Sequence, residues 1–178
     1  MPHAVTHIII TMVVLSLIRH YLIGEKKMKL YLVLLGGIGG ILPDLDIVAY
    51  WILKFVNGAH LLDIHRGITH TIYFLFLFII LSLVFQFCTK HAELKKIFWI
   101  LTLGIFIHLI LDAILSGYIN PFYFDFLQIK FGIDYPIGLN LLEFEGGLED
   151  TLVPAFDALV LIIWLTYEFS RNNIKDFI

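Results

Sequence analysis

The sequence predicts an all-α fold, a multi-pass helical bundle in a membrane, with about five apolar segments, some of them short or broken. Three observations predict it: an apolar composition, long apolar runs, and basic residues that are separated from acidic ones along the chain. Of 178 residues, 60% are hydrophobic and 15% are charged, whereas soluble domains have about 45–50% apolar and about 25% charged residues. A soluble domain would need more polar surface than this. We therefore treat residues 1–178 as a single membrane-embedded domain.

The apolar segments predict the helices of the bundle. A transmembrane helix needs about 20 mostly apolar residues, and the third and fourth segments fit this requirement best. The first is long enough if Arg19 and His20 lie at the membrane interface, where long basic side chains can reach water. The second is interrupted at Pro43, because proline ends a helix. The segments are residues 8–23, 30–42 with 47–53, 71–87, 97–115 and 152–169.

A run of glycines stands in the second segment. Gly36 and Gly40 form a G-x-x-x-G pattern, which is typical of helices that pack closely in membranes. A phosphate-binding loop before Pro43 is the alternative interpretation. The small-residue bias of membrane interfaces favours packing.

The basic residues predict the orientation of the segments. Cytoplasmic loops of membrane proteins carry an excess of lysine and arginine. We therefore expect the connections with many basic residues and the C-terminus to be cytoplasmic, and the N-terminus to be outside. Those basic residues are Arg19, Lys26, Lys27, Lys29, Lys90, Lys95, Lys96, Arg171 and Lys175.

Histidines and aspartates collect at the predicted outer ends of the segments. An ionisable side chain in an apolar segment is costly unless something binds it. Imidazole and carboxylate groups are ligands of zinc, and they also suit manganese. The sequence therefore predicts an extracytoplasmic metal site. Its candidate ligands are His7, Asp44, Asp46, His65, His70, His108 and Asp112.

The spacing of these residues supports a metal site but leaves alternatives. His108 and Asp112 are four residues apart, on one face of a helix, and either they bind a metal or their hydrogen bond joins two helices. Asp44 and Asp46 lie on the same side if that stretch is extended. A cation would then remove their repulsion, but they could also be a solvated pair at a helix end.

The number of candidates bears on the number of ions. Seven exceed what one tetrahedral ion needs, so we expect one or two divalent ions, zinc or else manganese. Two ions that share a carboxylate would fit hydrolysis of a phosphoester. Asp44 or Asp112 could then accept the proton of the attacking water, and Arg66 could hold the developing negative charge.

The order of these motifs resembles that of a known family. Thr6-His7, L-P-D-L-D (42–46), H-R-G-I-T-H (65–70) and H-L-I-L-D (108–112), followed by Asn120-Pro121-Phe122, are similar to the YdjM-like family of membrane-bound metal-dependent hydrolases. Some members of that family are named for LexA binding, but no residue of this sequence indicates that function. The L-P-D and H-x-x-x-D pieces also resemble, more weakly, zinc-dependent phospholipase C proteins.

The resemblance covers roughly residues 6–123. It implies a helical, membrane-bound, metal-dependent hydrolase in which the seven candidate ligands occupy the polar motif positions of the family. The sequence departs from the commonest pattern at Thr71, where serine often follows the second histidine. A longer acidic loop, residues 116–150, leaves the substrate class open.

Together these observations predict a membrane-bound metal-dependent hydrolase for a small or lipid-like phosphoester at the outer membrane face. Membrane lipids are expected partners, and nucleic acid is not. A metal-ion or proton-linked transporter is one alternative, but it would need polar residues in the inner halves of the helices, which we expect to be almost wholly apolar. A non-catalytic scaffold stabilised by metal is the other, and it would lose little if His65 or His70 were replaced.

Overall fold

The computed structural model of the chain describes residues 4–57, 68–115 and 149–171, and these residues are almost entirely helical, with no strand among them. The all-α prediction is confirmed for this part of the chain. The helices are α1 (Ala4–Ile18), which continues as a π-helix (Arg19–Ile23), α2 (Leu30–Ile41), α3 (Asp46–Asn57), α4 (Ile72–Cys88), α5 (Ala92–Leu115) and α6 (Glu149–Ser170). Two short 3-10 turns, Pro43–Leu45 and Ile68–His70, precede α3 and α4.

The prediction of five apolar segments is only partly met. Within the described residues, Ala4–Ile23 and Ala92–Ile114 are long and apolar enough to cross a membrane, whereas Leu30–Ile41 and Ile72–Cys88 are apolar but shorter. The fifth segment lies in α6, a helix of 22 residues. It contains two buried acids, Asp157 and Glu168.

The helices α1, α2 and α5 form the centre of the bundle, and glycines allow their close approach. A side chain on Gly39 would lie 2.7 Å from the carbonyl oxygen of Leu101, so the backbones of α2 and α5 nearly touch. On the α1 side, a side chain on Gly40 would lie 2.6 Å from the hydroxyl of Thr11. The packing interpretation of the glycine run agrees with this geometry.

Two glycines on α2 give a matched test of this packing. Gly39→Ala should lower the free energy of unfolding by about 1–3 kcal/mol, because the new methyl meets backbone that cannot move aside. Gly37→Ala meets the flexible side chain of Met12 at 2.9 Å, so its cost should be smaller. Thermal unfolding of both variants in detergent measures the difference. Equal stability of the two would contradict close α2–α5 packing.

The pairing of helices gives the bundle two distinct ends. Thr6 donates a hydrogen bond to Asp157 at 2.9 Å, and Ser16 donates one to Glu168, so α1 and α6 run parallel. His7 and Arg19 lie 12 residues apart on the same helical stretch, which corresponds to about 18 Å. We call these the His7 end and the Arg19 end of the bundle.

The outer surface of the bundle is strongly apolar. Many large hydrophobic side chains are exposed, among them Phe76, Ile80, Phe87, Ile162 and Phe169. Soluble monomers rarely expose contiguous apolar patches of more than a few hundred Å². Such a belt suits contact with lipid, as the composition predicts.

Candidate metal centre

Six of the predicted ligands come together at the His7 end of the bundle. They arrive from separate parts of the fold: the first turn of α1, the turn before α3, the start of α3, the turn before α4, and one face of α5. All are buried except Asp44, which is half-buried. We call this group the His–Asp cluster; its members are His7, Asp44, Asp46, His70, His108 and Asp112.

The centre of the cluster is the Nε2 atom of His108. It lies 3.3 Å from Nε2 of His70, 3.4 Å from Oδ2 of Asp112 and 3.8 Å from Oδ1 of Asp44. His70 Nε2 is also 3.3 Å from Asp44 Oδ1 and 3.5 Å from Asp112 Oδ2. Four side chains thus direct nitrogen or oxygen atoms at one another over a few ångströms.

A hydrogen bond at Nδ1 of His108, the ring nitrogen that faces away from the cluster, fixes the tautomer of the ring. Nδ1 of His108 lies 2.6 Å from the carbonyl oxygen of Gly40. A carbonyl can only accept, so Nδ1 carries the proton and, in the neutral ring, Nε2 presents a lone pair to the cluster. Metal-binding histidines almost always donate their second ring N–H in this way. The close approach of α2 to α5 therefore orients this candidate ligand.

His70 is oriented by a different pair of residues. Thr69 donates a hydrogen bond to Asp46 Oδ2 at 2.8 Å, and the same carboxylate oxygen lies 3.5 Å from Nδ1 of His70. Asp46 therefore contacts the opposite side of the ring from Asp44. The stretch from Asp44 to Asp46 is helical rather than extended, and for this reason the two carboxylates do not face the same way.

The charge balance of the cluster also suits a cation. Burial alone would lower the pKa of His70, but hydrogen bonds to Asp44 and Asp46, with the nearby charge of Asp112, raise it to about 9. Without a metal, the cluster therefore holds an extra proton on His70 at neutral pH. A divalent ion would replace that proton, because ligands must be deprotonated to bind.

The third histidine completes two overlapping sets of donors. His7, His108 and Asp112 form one set, and Asp44, His70 and His108 form the other; within each, the donor atoms lie within 4.8 Å of one another. The ring of His7 stacks on that of His108 at 4.0 Å. Among the described residues its buried Nδ1 has no hydrogen-bond partner, which is costly unless a metal or water satisfies it. The donors present therefore fit a divalent metal ion.

Asp112 links the two sets. Its Oδ1 atom lies 3.4 Å from Nε2 of His7, whereas its Oδ2 atom faces His108 and His70. A carboxylate whose two oxygens face different histidines has the geometry of a bridging ligand. This arrangement is compatible with one ion or with two.

Two predicted site residues and residues 116–148 of the acidic loop lie outside the described residues, while Glu149 and Asp150 begin α6. His65 remains a predicted metal ligand. Arg66 remains the cation that is predicted to hold the negative charge that develops during hydrolysis. Asp157 on α6 accepts a hydrogen bond from Thr6, the residue before His7.

The contacts of Asp46 lead to a specific expectation. A carboxylate that orients a ligand without binding the ion typically contributes 10–100-fold to metal affinity. We therefore expect Asp46→Asn to weaken zinc binding by about 10–100-fold, as measured by titration against a competing chelator. Thr69→Val, which removes the hydrogen bond to Asp46, should weaken it less. Complete loss of zinc in Asp46→Asn would instead make Asp46 a ligand.

The Arg19 end holds a second polar cluster that the sequence did not predict. Arg19 is 0% exposed; its Nε donates to the carbonyl oxygen of Met28 at 2.8 Å, and its Nη1 lies 3.5 Å from Glu168. Ser16 donates a hydrogen bond to the same carboxylate, and His20 Nε2 lies 3.4 Å from it. We call Ser16, Arg19, His20 and Glu168 the Arg19 cluster.

The Arg19 cluster corrects the expectation that Arg19 and His20 reach water. The side chains of both are buried in the bundle, because Glu168 on α6 compensates the charge of Arg19. The Arg19 end of α1 and α6 therefore carries buried polar side chains. The signal in the sequence was a lone acid, Glu168, inside an apolar run. The structure adds a π-helix at Arg19–Ile23. Such turns are frequent at functional sites.

The fold and the His–Asp cluster define a helical membrane protein with residues that could hold a metal ion. A profile of the family described as YdjM inner membrane protein matches residues 1–170. Because the match covers nearly the whole chain, the protein belongs to this family, as the motifs suggested. No curated protein and no solved structure matches the chain.

Proposed function

We propose that this protein is a membrane-bound metal-dependent hydrolase that cleaves a phosphoester in a lipid-like substrate at the extracytoplasmic face. The observation that supports it most is the convergence of three imidazoles and two carboxylates, with Nε2 of His108 oriented by Gly40. A divalent ion held by these side chains would polarise a phosphoryl oxygen and activate a water molecule. Zinc suits the ligand types best, and manganese is the alternative.

The side chains of the cluster have different proposed roles in metal binding and proton transfer. His7, His70 and His108 supply nitrogen ligands, and Asp112 presents one oxygen to His7 and the other to His70 and His108. Asp44 is the most exposed member, with 13% of its side chain accessible to solvent. This position at the edge of the cluster suits a carboxylate that accepts the proton of the attacking water. Arg66 is proposed to hold the charge that develops on the phosphoryl group.

The proposed orientation follows from the two ends of the bundle. Lys26, Lys27 and Lys29 lie in the connection between α1 and α2, at the Arg19 end. By the positive-inside bias that end faces the cytoplasm. The His–Asp cluster is then extracytoplasmic, and the C-terminus, after α6, is cytoplasmic.

The decisive experiment combines elemental analysis with hydrolysis assays. We expect the protein, purified in detergent, to contain one or two equivalents of zinc or manganese and to hydrolyse a phospholipid or a chromogenic phosphodiester. Treatment with a chelator should abolish the reaction, and addition of the metal should restore it. Metal-free protein that resists reconstitution, or metal-loaded protein inactive on every phosphoester tested, would reject the proposal.

A metal-ion or proton-linked transporter is the second candidate, and the Arg19 cluster is the observation that favours it. Transporters place ionisable residues along a path through the membrane, and here α1 carries polar clusters at both ends. The face of α1 between them includes the buried Met12 and Leu15, which is unfavourable for an ion. Metal uptake into proteoliposomes, with no hydrolysis of any phosphoester, would favour transport.

A further inference from the structure

An apolar groove runs between α4 and α5 and ends at the His–Asp cluster. Its volume is about 250 Å³, and His70 lines it together with apolar side chains, among them Leu75, Phe106, Ile110 and Ala113. On α5 the lining extends from Phe106 to Ile114, a length of about 12 Å at 1.5 Å per residue. The groove is therefore about 12 Å long and lined almost entirely by apolar side chains.

His70 belongs to both the groove and the cluster. Its Nε2 atom lies 3.3 Å from Asp44 Oδ1 and 3.3 Å from His108 Nε2, while its ring forms part of the groove wall. From His70, α4 leads through Ile72 to Leu75, away from the cluster and along the groove. A molecule in the groove would thus place one end beside the candidate metal ligands.

The surroundings of the groove determine what can fill it. Phe106, Ile110 and Ile114 are each at least 40% exposed, so the groove opens onto the apolar belt of the bundle. An unfilled cleft would forfeit dispersion contacts. A polar occupant would meet a hydrogen-bonding side chain only at His70 among the described lining residues. The volume is below the range of about 300–1,000 Å³ that is usual for drug-sized ligands. One hydrocarbon chain fits these constraints better than a sterol or two chains.

We propose that this groove binds a hydrocarbon chain of the substrate, with the polar head group of the same molecule at His70. The inference rests on the proposed function and narrows its substrate class to amphiphiles with a long apolar chain next to the phosphoester. The occupant is the chain of the substrate itself. Bulk membrane hydrocarbon and a protein partner are outcomes that the test can reveal.

Two variants on α4 test the groove by kinetics. Leu75→Trp fills it, whereas Leu77→Trp places the same side chain two residues further along, where Leu77 is exposed and does not line the groove. Each is assayed with a chromogenic phosphodiester that carries either a dodecyl or a methyl group. Leu75→Trp should raise KM for the dodecyl substrate about tenfold with kcat unchanged, which is the signature of lost uniform binding. The methyl substrate and Leu77→Trp should show no such change.

A binding measurement separates the groove from the activity. A dodecyl phosphonate with a diazirine at the chain end is photo-crosslinked to the purified protein, and the labelled residues are located by mass spectrometry. We expect labels on the walls of the groove near Phe106 that are lost in Leu75→Trp and kept in Leu77→Trp. The same diazirine chain without the phosphonate should label the groove less.

Each outcome decides between the two proposals. Labelling confined to the groove without hydrolysis of any substrate would support the groove and reject the hydrolase. Hydrolysis that both tryptophan variants leave equally unaffected, or labels spread evenly over the apolar belt, would overturn the groove and leave the hydrolase standing. Equal labelling by the chain without its phosphonate would mean that the groove takes any membrane hydrocarbon, which also overturns it.

Discussion

Asp112→Asn is expected to abolish binding of the proposed metal ion and to reduce the proposed hydrolysis at least 100-fold. This is the upper limit that is typical for residues that only orient a ligand. Asparagine keeps the shape of the side chain but removes its negative charge. Asp112 faces His7 with one oxygen and His70 and His108 with the other, so the substitution removes negative charge beside all three histidines of the cluster. Metal content by elemental analysis and kcat/KM on a phosphodiester measure the effect.

Asp157→Asn is the matched control for that variant. Asp157 is also a buried acid at the His7 end, but its carboxylate accepts a hydrogen bond from Thr6 and lies outside both donor sets. Its amide variant should retain metal and most of the activity. If Asp112→Asn kept the full metal content, or if both variants lost metal equally, Asp112 would not be the bridging ligand that the geometry suggests.

His108→Ala tests the shared member of the two sets and should behave like Asp112→Asn. The combined effect of the two substitutions should be far smaller than the product of the single effects, because residues that act as a unit are not additive. This distinguishes a metal centre from a His–Asp hydrogen bond that only joins helices. In the latter case each variant would lower stability without any change in metal content.

The convergence of the His–Asp cluster could be foreseen because each member lies at the end or in the outward half of an apolar segment, on one predicted side of the membrane. His108 and Asp112 were the clearest case, since a helical spacing of four places both on one face. The different roles of Asp44 and Asp46 could not be foreseen. Their relation depends on whether the chain after Pro43 is helical or extended, and the spacing of two is compatible with both.

The Arg19 cluster shows why the pairing of Arg19 with Glu168 could not be predicted from the sequence. Arg19 alone is explained well by a side chain that reaches the interface, and Glu168 alone looks like an acid near the end of the last segment. Only the parallel packing of α1 and α6, 149 positions apart at these two residues, brings the charges together. Asp157, on the same helix as Glu168, is likewise buried and joins α6 to α1 through Thr6.

Glu168→Leu is expected to destabilise the protein by about 3–5 kcal/mol, because it leaves the charge of Arg19 buried without its carboxylate. Arg19 and Glu168 are at most 1% exposed. Ser16 and His20 would lose the same acceptor. Thermal unfolding in detergent measures the loss, and substitution of the exposed Glu93 by leucine, a control on α5, should change stability little.

The double variant Arg19→Met, Glu168→Leu discriminates between a structural and a functional role for this pair. Well-packed apolar residues often replace a buried ion pair without loss, so the double variant should recover most of the stability that Glu168→Leu loses. If it is stable, metal-loaded and hydrolytically active, the Arg19 cluster only joins α1 to α6. If it is stable and metal-loaded but fails to accumulate metal in proteoliposomes that the unaltered protein fills, the cluster belongs to a transport path and the hydrolase must give way to the transporter.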